Sequence, residues 1–179
     1  MVMDGEIAWR DKIPWIEDEI VPEMEKLYTP NVRLFEYGCG ASTIWAARRV
    51  AQVITVEHWP NWYNKVRAFV DDEEPELWDK LTLMLIQERV TAFGDKARRF
   101  DVYARTIKMF PTEFFDIVMV DGRARRLSLL NSLQHVKHGG VAIIDDLERD
   151  YYHCAIDTAV EYGWERWDVA RTAFLRRPQ

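Results

Sequence analysis

Leu34-Phe35-Glu36-Tyr37-Gly38-Cys39-Gly40-Ala41-Ser42-Thr43, followed shortly by Val53-Ile54-Thr55-Val56-Glu57, decides how this chain is read. An apolar run reaches a carboxylate, turns on two glycines and enters a helix opened by Ser42 and Thr43. A second apolar run then ends on another carboxylate. A βαβ unit that grips a nucleoside has this pattern: turn glycines let a ligand approach bare backbone, and an acid ending the second strand accepts hydrogen bonds from both ribose hydroxyls. Glu57 stands in that place, and a diol calls for an acceptor-only group.

The same residues bear on which nucleoside is held. A dinucleotide unit seats pyrophosphate on the helix N-terminus and favours a third glycine where helix and strand pack closely. Here that position is Thr43, and Glu36, two residues before Gly38, would repel a pyrophosphate. A ligand with an ammonium and a sulfonium, and no phosphate, suits Glu36 better; S-adenosylmethionine is such a ligand. An NAD-dependent oxidoreductase is the rival reading of the turn, and a non-catalytic interaction domain is a second.

Working outward, 179 residues make one domain with a substantial core, and 48% hydrophobic against 30% charged residues is the balance of a globular protein. A net charge of −6 disfavours extended nucleic-acid contact, because neutralising phosphates requires a basic face. The two cysteines, Cys39 and Cys154, make no disulfide framework, which fits a reducing cytoplasm. Asp4, Glu6 and the lack of a long apolar stretch near the start predict neither signal peptide nor membrane span.

Residues 1–31 read as an N-terminal helical segment and 32–179 as the cofactor domain. Trp15, Ile16, Ile20, Met24 and Leu27 form a helical stripe interrupted by Pro22, so the segment is kinked or split in two. It either packs on the sheet edge or covers the substrate as a lid lined by Trp9 or Trp15. Strands are expected at 33–37, 53–56, 81–86, 114–120 and 141–144, alternating with helices, with the last released by Gly139-Gly140. The helix over 124–136 should turn Leu127, Leu130 and Leu133 inward. Two short strands at 166–169 and 172–175, joined by a tight turn, close the chain. The run Asp71-Asp72-Glu73-Glu74-Pro75-Glu76 reads as a solvated loop rather than a metal site.

In open α/β sheets, ligands sit beyond the carboxyl ends of the strands. Glu36, Glu57, Asp121, Asp145 and Asp146 all fall at such ends, on four strands, where a purely structural fold needs no charge. His58 and Trp59 follow Glu57, and one of them can pack on an adenine. Arg123, Arg125 and Arg126 lie after the fourth strand; they either clamp an anionic group of an acceptor or pair with nearby acids. Tyr151 and His153, after the fifth, can orient an acceptor or move a proton.

Glu36-x-Gly38-x-Gly40-x-Ser42-Thr43, then Val56-Glu57-His58, together with Phe115–Arg123 and His138–Asp146, resembles the class I S-adenosylmethionine-dependent methyltransferases from about Val32 onward. The resemblance implies an α/β fold: a doubly wound, mostly parallel seven-stranded sheet with helices on both faces and an antiparallel C-terminal hairpin. It implies methyl transfer to a small-molecule hydroxyl or nitrogen. Glu36, Gly38, Gly40, Ser42, Thr43, Glu57, His58 and Asp121 are the cofactor-binding candidates, with Gln87 or Glu88 edging the adenine. Asp121 and Asp145 are the catalytic candidates; Arg123, Arg125 and His153 face the acceptor. Catechol-type members bind a divalent cation through an Asp after strand four and an Asp-Asn or Asp-Asp pair after strand five, so Asp121, Asp145 and Asp146 are candidate Mg2+ ligands. The Asp121-Gly122-Arg123-Ala124-Arg125 continuation departs from that pattern, and the usual catalytic lysine and asparagine have no clear counterpart. A small-molecule acceptor, no membrane and a homo-oligomer complete the expectation.

Overall fold

The computed structural model describes residues 16–88 and 99–179. A short 3-10 turn, Asp18–Ile20, leads into α1 (Val21–Leu27), and β1 (Arg33–Tyr37), α2 (Ala41–Ala47), β2 (Gln52–Glu57), α3 (Pro60–Glu73) and β3 (Leu81–Leu85) follow. After the undescribed stretch come α4 (Asp101–Arg105), β4 (Phe115–Val120), α5 (Arg125–Ser132), β5 (Val136–Ile144), α6 (His153–Glu161), β6 (Glu165–Val169) and β7 (Thr172–Arg176). Pro22 falls in the first turn of α1, where its missing N–H costs nothing, so the proline starts the helix instead of kinking it. Trp9 and Trp15, the lid candidates, lie outside the described residues.

The strands form one sheet in the order β3-β2-β1-β4-β5-β7-β6. β1 to β5 are parallel, and β7 slots antiparallel between β5 and β6, as expected. Strand alternation divides the core into two layers. Leu34, Val53, Ile117, Met119, Ile143 and Phe174 pack under α1, α2 and α3, including the fully buried Trp45 and Met24. Phe35, Tyr37, Val56, Val118, Val120 and Ile144 pack under α4, α5 and α6, against Tyr103, Leu129, Tyr152 and Ile156. Each central strand is covered on both faces, which is why β4 is apolar almost throughout.

Three elements differ from expectation: α3 carries Asp71 to Glu73 in its last turn, where a solvated loop is expected, and β5 and α5 differ as well. β5 begins at Val136, and Gly139-Gly140 lie inside it at a register shift against β4, where Phe115 faces Val136 but Ile117 faces Val141. Gly139 takes φ +73, and a Cβ on Gly140 would meet the Asp116 carbonyl at 2.7 Å, so the pair forms a bulge and not a turn. α5 buries Arg125, Ser128, Leu129, Asn131 and Ser132 and leaves Leu127, Leu130 and Leu133 half-covered. Its inner face is polar because partners are present: Ser132 Oγ donates to the Ser128 carbonyl (2.7 Å) and Asn131 Nδ2 to the Ala104 carbonyl (2.9 Å).

With registers Tyr37↔Val56, Tyr37↔Val120 and Val120↔Ile144, the parallel strands end level with one another. The loops at 38–40, 58–59, 86–88, 121–124 and 145–149 therefore gather at one rim. β1 sits where the strand order reverses, with β2 on one side and β4 on the other.

Candidate functional site

At that rim lies a cleft of ≈ 1020 Å³. Its walls come from four loops: Gly38–Ser42 after β1, Glu57–Pro60 and Trp62 after β2, Gln87 and Glu88 after β3, and Asp121–Arg123 with Arg125 after β4; Arg99, Phe100 and Arg149 complete it.

The glycine turn is built backbone against backbone. Gly38 adopts φ +94, and a Cβ there would come within 2.9 Å of both the Cα and the nitrogen of Gly122. A Cβ on Gly122 would in turn overlap the Tyr103 hydroxyl. The turn hangs from the sheet through Gly38 N–H to the Val56 carbonyl (2.9 Å), and Asp121 N–H bonds the Tyr37 carbonyl (3.0 Å).

Glu57 ends β2 as a buried carboxylate facing this turn. Its Oε2 accepts from Cys39 N–H (2.9 Å); its Oε1 accepts from the N–H groups of His58 (2.8 Å) and Trp59 (2.7 Å). Burial works to raise its pKa, but these donors and the neighbouring His58 ring outweigh it and hold the carboxyl below its ordinary value. The cleft therefore has an ionised acceptor at the end of β2. The His58 ring is set edge-on against Phe100 and Tyr103, with centroids 5.4 and 5.9 Å away.

Glu36 is placed differently from expectation. It points from β1 under α2, is 1% exposed, and forms no part of the cleft wall. Ser42 Oγ donates to its Oε1 (2.6 Å) and Thr43 Oγ1 to its Oε2, while Gly40 N–H donates to Thr43 Oγ1 (3.0 Å). Burial pushes the Glu36 carboxyl up to about 7 against those hydroxyl donors, with the Glu57 charge adding to the rise. Glu36 and fully buried Thr43 thus brace the turn from behind, and Ser42 alone of the three also reaches the cleft.

Asp121 on the cleft wall, and Asp145 and Asp146 outside it, offer oxygens within 4.8 Å of one another. Arg125, whose side chain is 7% exposed, sits among them: its Nη2 lies 2.9 Å from Asp121 Oδ1 and 2.8 Å from Asp146 Oδ2. Asp145 is turned to Thr172, whose hydroxyl donates to its Oδ1 (2.6 Å), and Arg149 pairs with Asp146 (2.8 Å). Burial, then the charges of Asp145, Glu36 and Asp146, push the Asp121 carboxyl up to about 8, with Arg125 opposing. A divalent ion at these acids would have to share oxygens with a guanidinium that cannot lose its proton, so the donor set does not fit a metal.

No protein-family model matches the chain, and the comparison with curated proteins finds no match. Solved structures do match it. A methyltransferase-like protein from Silicibacter pomeroyi superposes with TM-score 0.71 at 21% identity, over 93% of this chain and 89% of that one. A SAM-dependent O-methyltransferase from Thermotoga maritima gives 0.65 at 12% identity, over 93% and 67%. An rRNA methylase from Streptococcus thermophilus gives 0.63 at 12% identity, over 93% and 100%. This is the Rossmann-like methyltransferase fold. No helix among the described residues is long and apolar enough to cross a membrane.

Within the methyltransferase fold, the structure brings Gly38, Gly40, Ser42, Glu57, His58, Asp121, Arg123 and Arg125 to one cleft, and Gln87 and Glu88 to its edge. Trp59 lines it while half exposed, and Trp62 serves both cleft and core. Asp145 and His153 stand outside its walls; His153 Nε2 lies 2.6 Å from the Leu147 carbonyl. Of the three arginines after β4, Arg125 pairs with the strand-end acids, and Arg123 is exposed on the rim. Sequence reasoning missed Arg99, Phe100 and Arg149 as wall residues, since no local pattern sets them apart from surface residues.

Proposed function

We propose that this chain binds S-adenosylmethionine in the cleft and directs methyl transfer to a small-molecule hydroxyl or nitrogen. The observation that carries the reading is Glu57: an ionised carboxylate at the end of β2, opposite a glycine turn whose bare backbone forms the adjoining wall. The cleft is large enough for a nucleoside and an acceptor together. Glu57 would take the ribose hydroxyls, Gly38 to Gly40 would let the amino-acid portion lie against backbone, and Trp59 or His58 would flank the adenine. When bound, this cofactor supplies a methyl group already activated by a sulfonium, so the protein's task is alignment and proton removal. Asp121 lines the cleft and is the residue we assign to accept the acceptor's proton. Asp145, held by Thr172 away from the wall, is not given that role. Arg123 on the rim would meet an anionic group of the acceptor, while the overall charge of −6 disfavours extended contact with RNA.

Calorimetric titration with S-adenosylhomocysteine and, separately, with NAD tests the reading. Saturable binding of the first and none of the second is expected. Glu57→Gln should weaken it by about tenfold or more, since a hydrogen bond to a charged group contributes on the order of 1.5–3 kcal/mol. Tight NAD binding, or no loss of S-adenosylhomocysteine affinity in Glu57→Gln, would sink it.

A further inference from the structure

We propose that Arg125 is the resident cation of this cleft: a positioning residue that ties the loops after β4 and β5 together and holds the place among Asp121, Asp145 and Asp146 that a divalent metal would otherwise take. Its guanidinium spans both loops. Nε donates to the Gly122 carbonyl (3.1 Å) and Nη1 to the Asp145 carbonyl (2.5 Å). Nη2 donates to the Asp121 carbonyl (2.7 Å) and Asp121 Oδ1 (2.9 Å), and lies 2.8 Å from Asp146 Oδ2. The five donors of a planar guanidinium fork can satisfy carbonyls and carboxylates of two separate loops at once.

Both loops need such a tie. Ala124, immediately before Arg125, is held at φ +51, a conformation uncommon for a residue with a Cβ, and Asp146 is at φ +60, which aspartate tolerates more readily. Tyr152 adds a second tie, its hydroxyl donating to the Asp145 carbonyl (2.7 Å) and also reaching the Asp146 carbonyl. Arg149 reaches the same Asp146 oxygen as Arg125, at 2.8 Å, so two guanidinium groups already occupy that carboxylate. If Arg125 swung aside to admit an ion, three carbonyls would lose a charged donor and the guanidinium, itself 7% exposed, would lose its half-buried carboxylate partners.

The proposal predicts a variant that gains a property. Chelator-treated full-length protein is titrated with Mn2+ alone, followed by the free-ion paramagnetic resonance signal and by calorimetry. The wild type should show no saturable binding in the millimolar range, whereas Arg125→Met, which removes the guanidinium from among the three acids, should bind one Mn2+ about tenfold or more tightly. Adding Asp146→Asn to that variant should abolish the gain. Arg125→Lys keeps the charge and should still exclude Mn2+, but loses the fork, so amide exchange should quicken around 121–124 and 145–147 together. One Mn2+ bound by the wild type and lost in Asp121→Asn would overturn the proposal, whether or not Arg125→Met folds. So would a folded Arg125→Met that binds no better than wild type, or a folded Arg125→Lys whose exchange quickens in one loop alone. None of these readouts depends on methyl transfer, so a failure here and a failure of the methyltransferase reading are separate outcomes.

Discussion

Asp121 shows how a single carboxyl depends on its neighbours. It lines the cleft, bonds Arg125, and still has its proton affinity raised to about 8, because burial and three nearby acids together outweigh one guanidinium. If it takes the acceptor's proton, the rate should climb with pH towards about 8 and then level off, because only the ionised form is a base. Asp121→Asn should abolish that limb and slow turnover on the order of 10²–10⁴-fold; a pH–rate profile of wild type and variant checks both. Gly122 is fixed by space instead of charge. A methyl there would strike the Tyr103 hydroxyl and crowd the Gly38 nitrogen at 2.9 Å, so Gly122→Ala should cost about 1–3 kcal/mol in urea unfolding. Glu57 was legible at this scale because strand end, turn and acid follow one another in sequence. Arg125 was not: its partners come from Asp121 to Asp146, and nothing local marks one arginine of Arg123, Arg125 and Arg126 as the buried one.

The elements were legible wherever periodicity and burial coincide. β1, β2 and β4 are near-continuous apolar runs because helices cover both of their faces, and the terminal hairpin was visible as two short strands around a tight turn. α5 misled because its buried face is made of serines, an asparagine and an arginine that satisfy one another, whereas periodicity counts only apolar residues. β5 misled because a glycine pair reads as a turn unless the neighbouring strand is known. The bulge predicts a cost of its own: Gly140→Ala would set a methyl 2.7 Å from the Asp116 carbonyl and 2.9 Å from Val136 Cγ1. Urea unfolding should show a loss of about 1–3 kcal/mol, with S-adenosylhomocysteine affinity retained because the bulge lies at the far end of β5 from the cleft.

For the whole molecule, the site and the core share the same hydrogen bonds, because the turn that would face a ligand hangs from the centre of the sheet. Stability should therefore follow the buried acids. Glu36 has its folded pKa raised to about 7, so the folded chain keeps a proton that the unfolded chain releases above its ordinary value of 4.5. Its contribution is fully present below 4.5 and is lost as pH rises through 7, by an amount on the order of 3 kcal/mol. Calorimetric melting should show the wild-type Tm declining relative to Glu36→Gln between pH 5 and pH 8; a constant difference would mean that Glu36 is ionised throughout. The single doubly wound sheet, its helices on both faces and the antiparallel end could be anticipated through the family resemblance, but the choice of which acids brace and which face outward needed three dimensions. The two cysteines carry a practical consequence of that layering. Cys39 is enclosed in the turn with its thiol pKa pushed up, and Cys154 is exposed at the start of α6. A maleimide dye should accordingly attach at one position in the native protein, giving a fluorescent reporter eight residues along the chain from Asp146 without any engineered substitution.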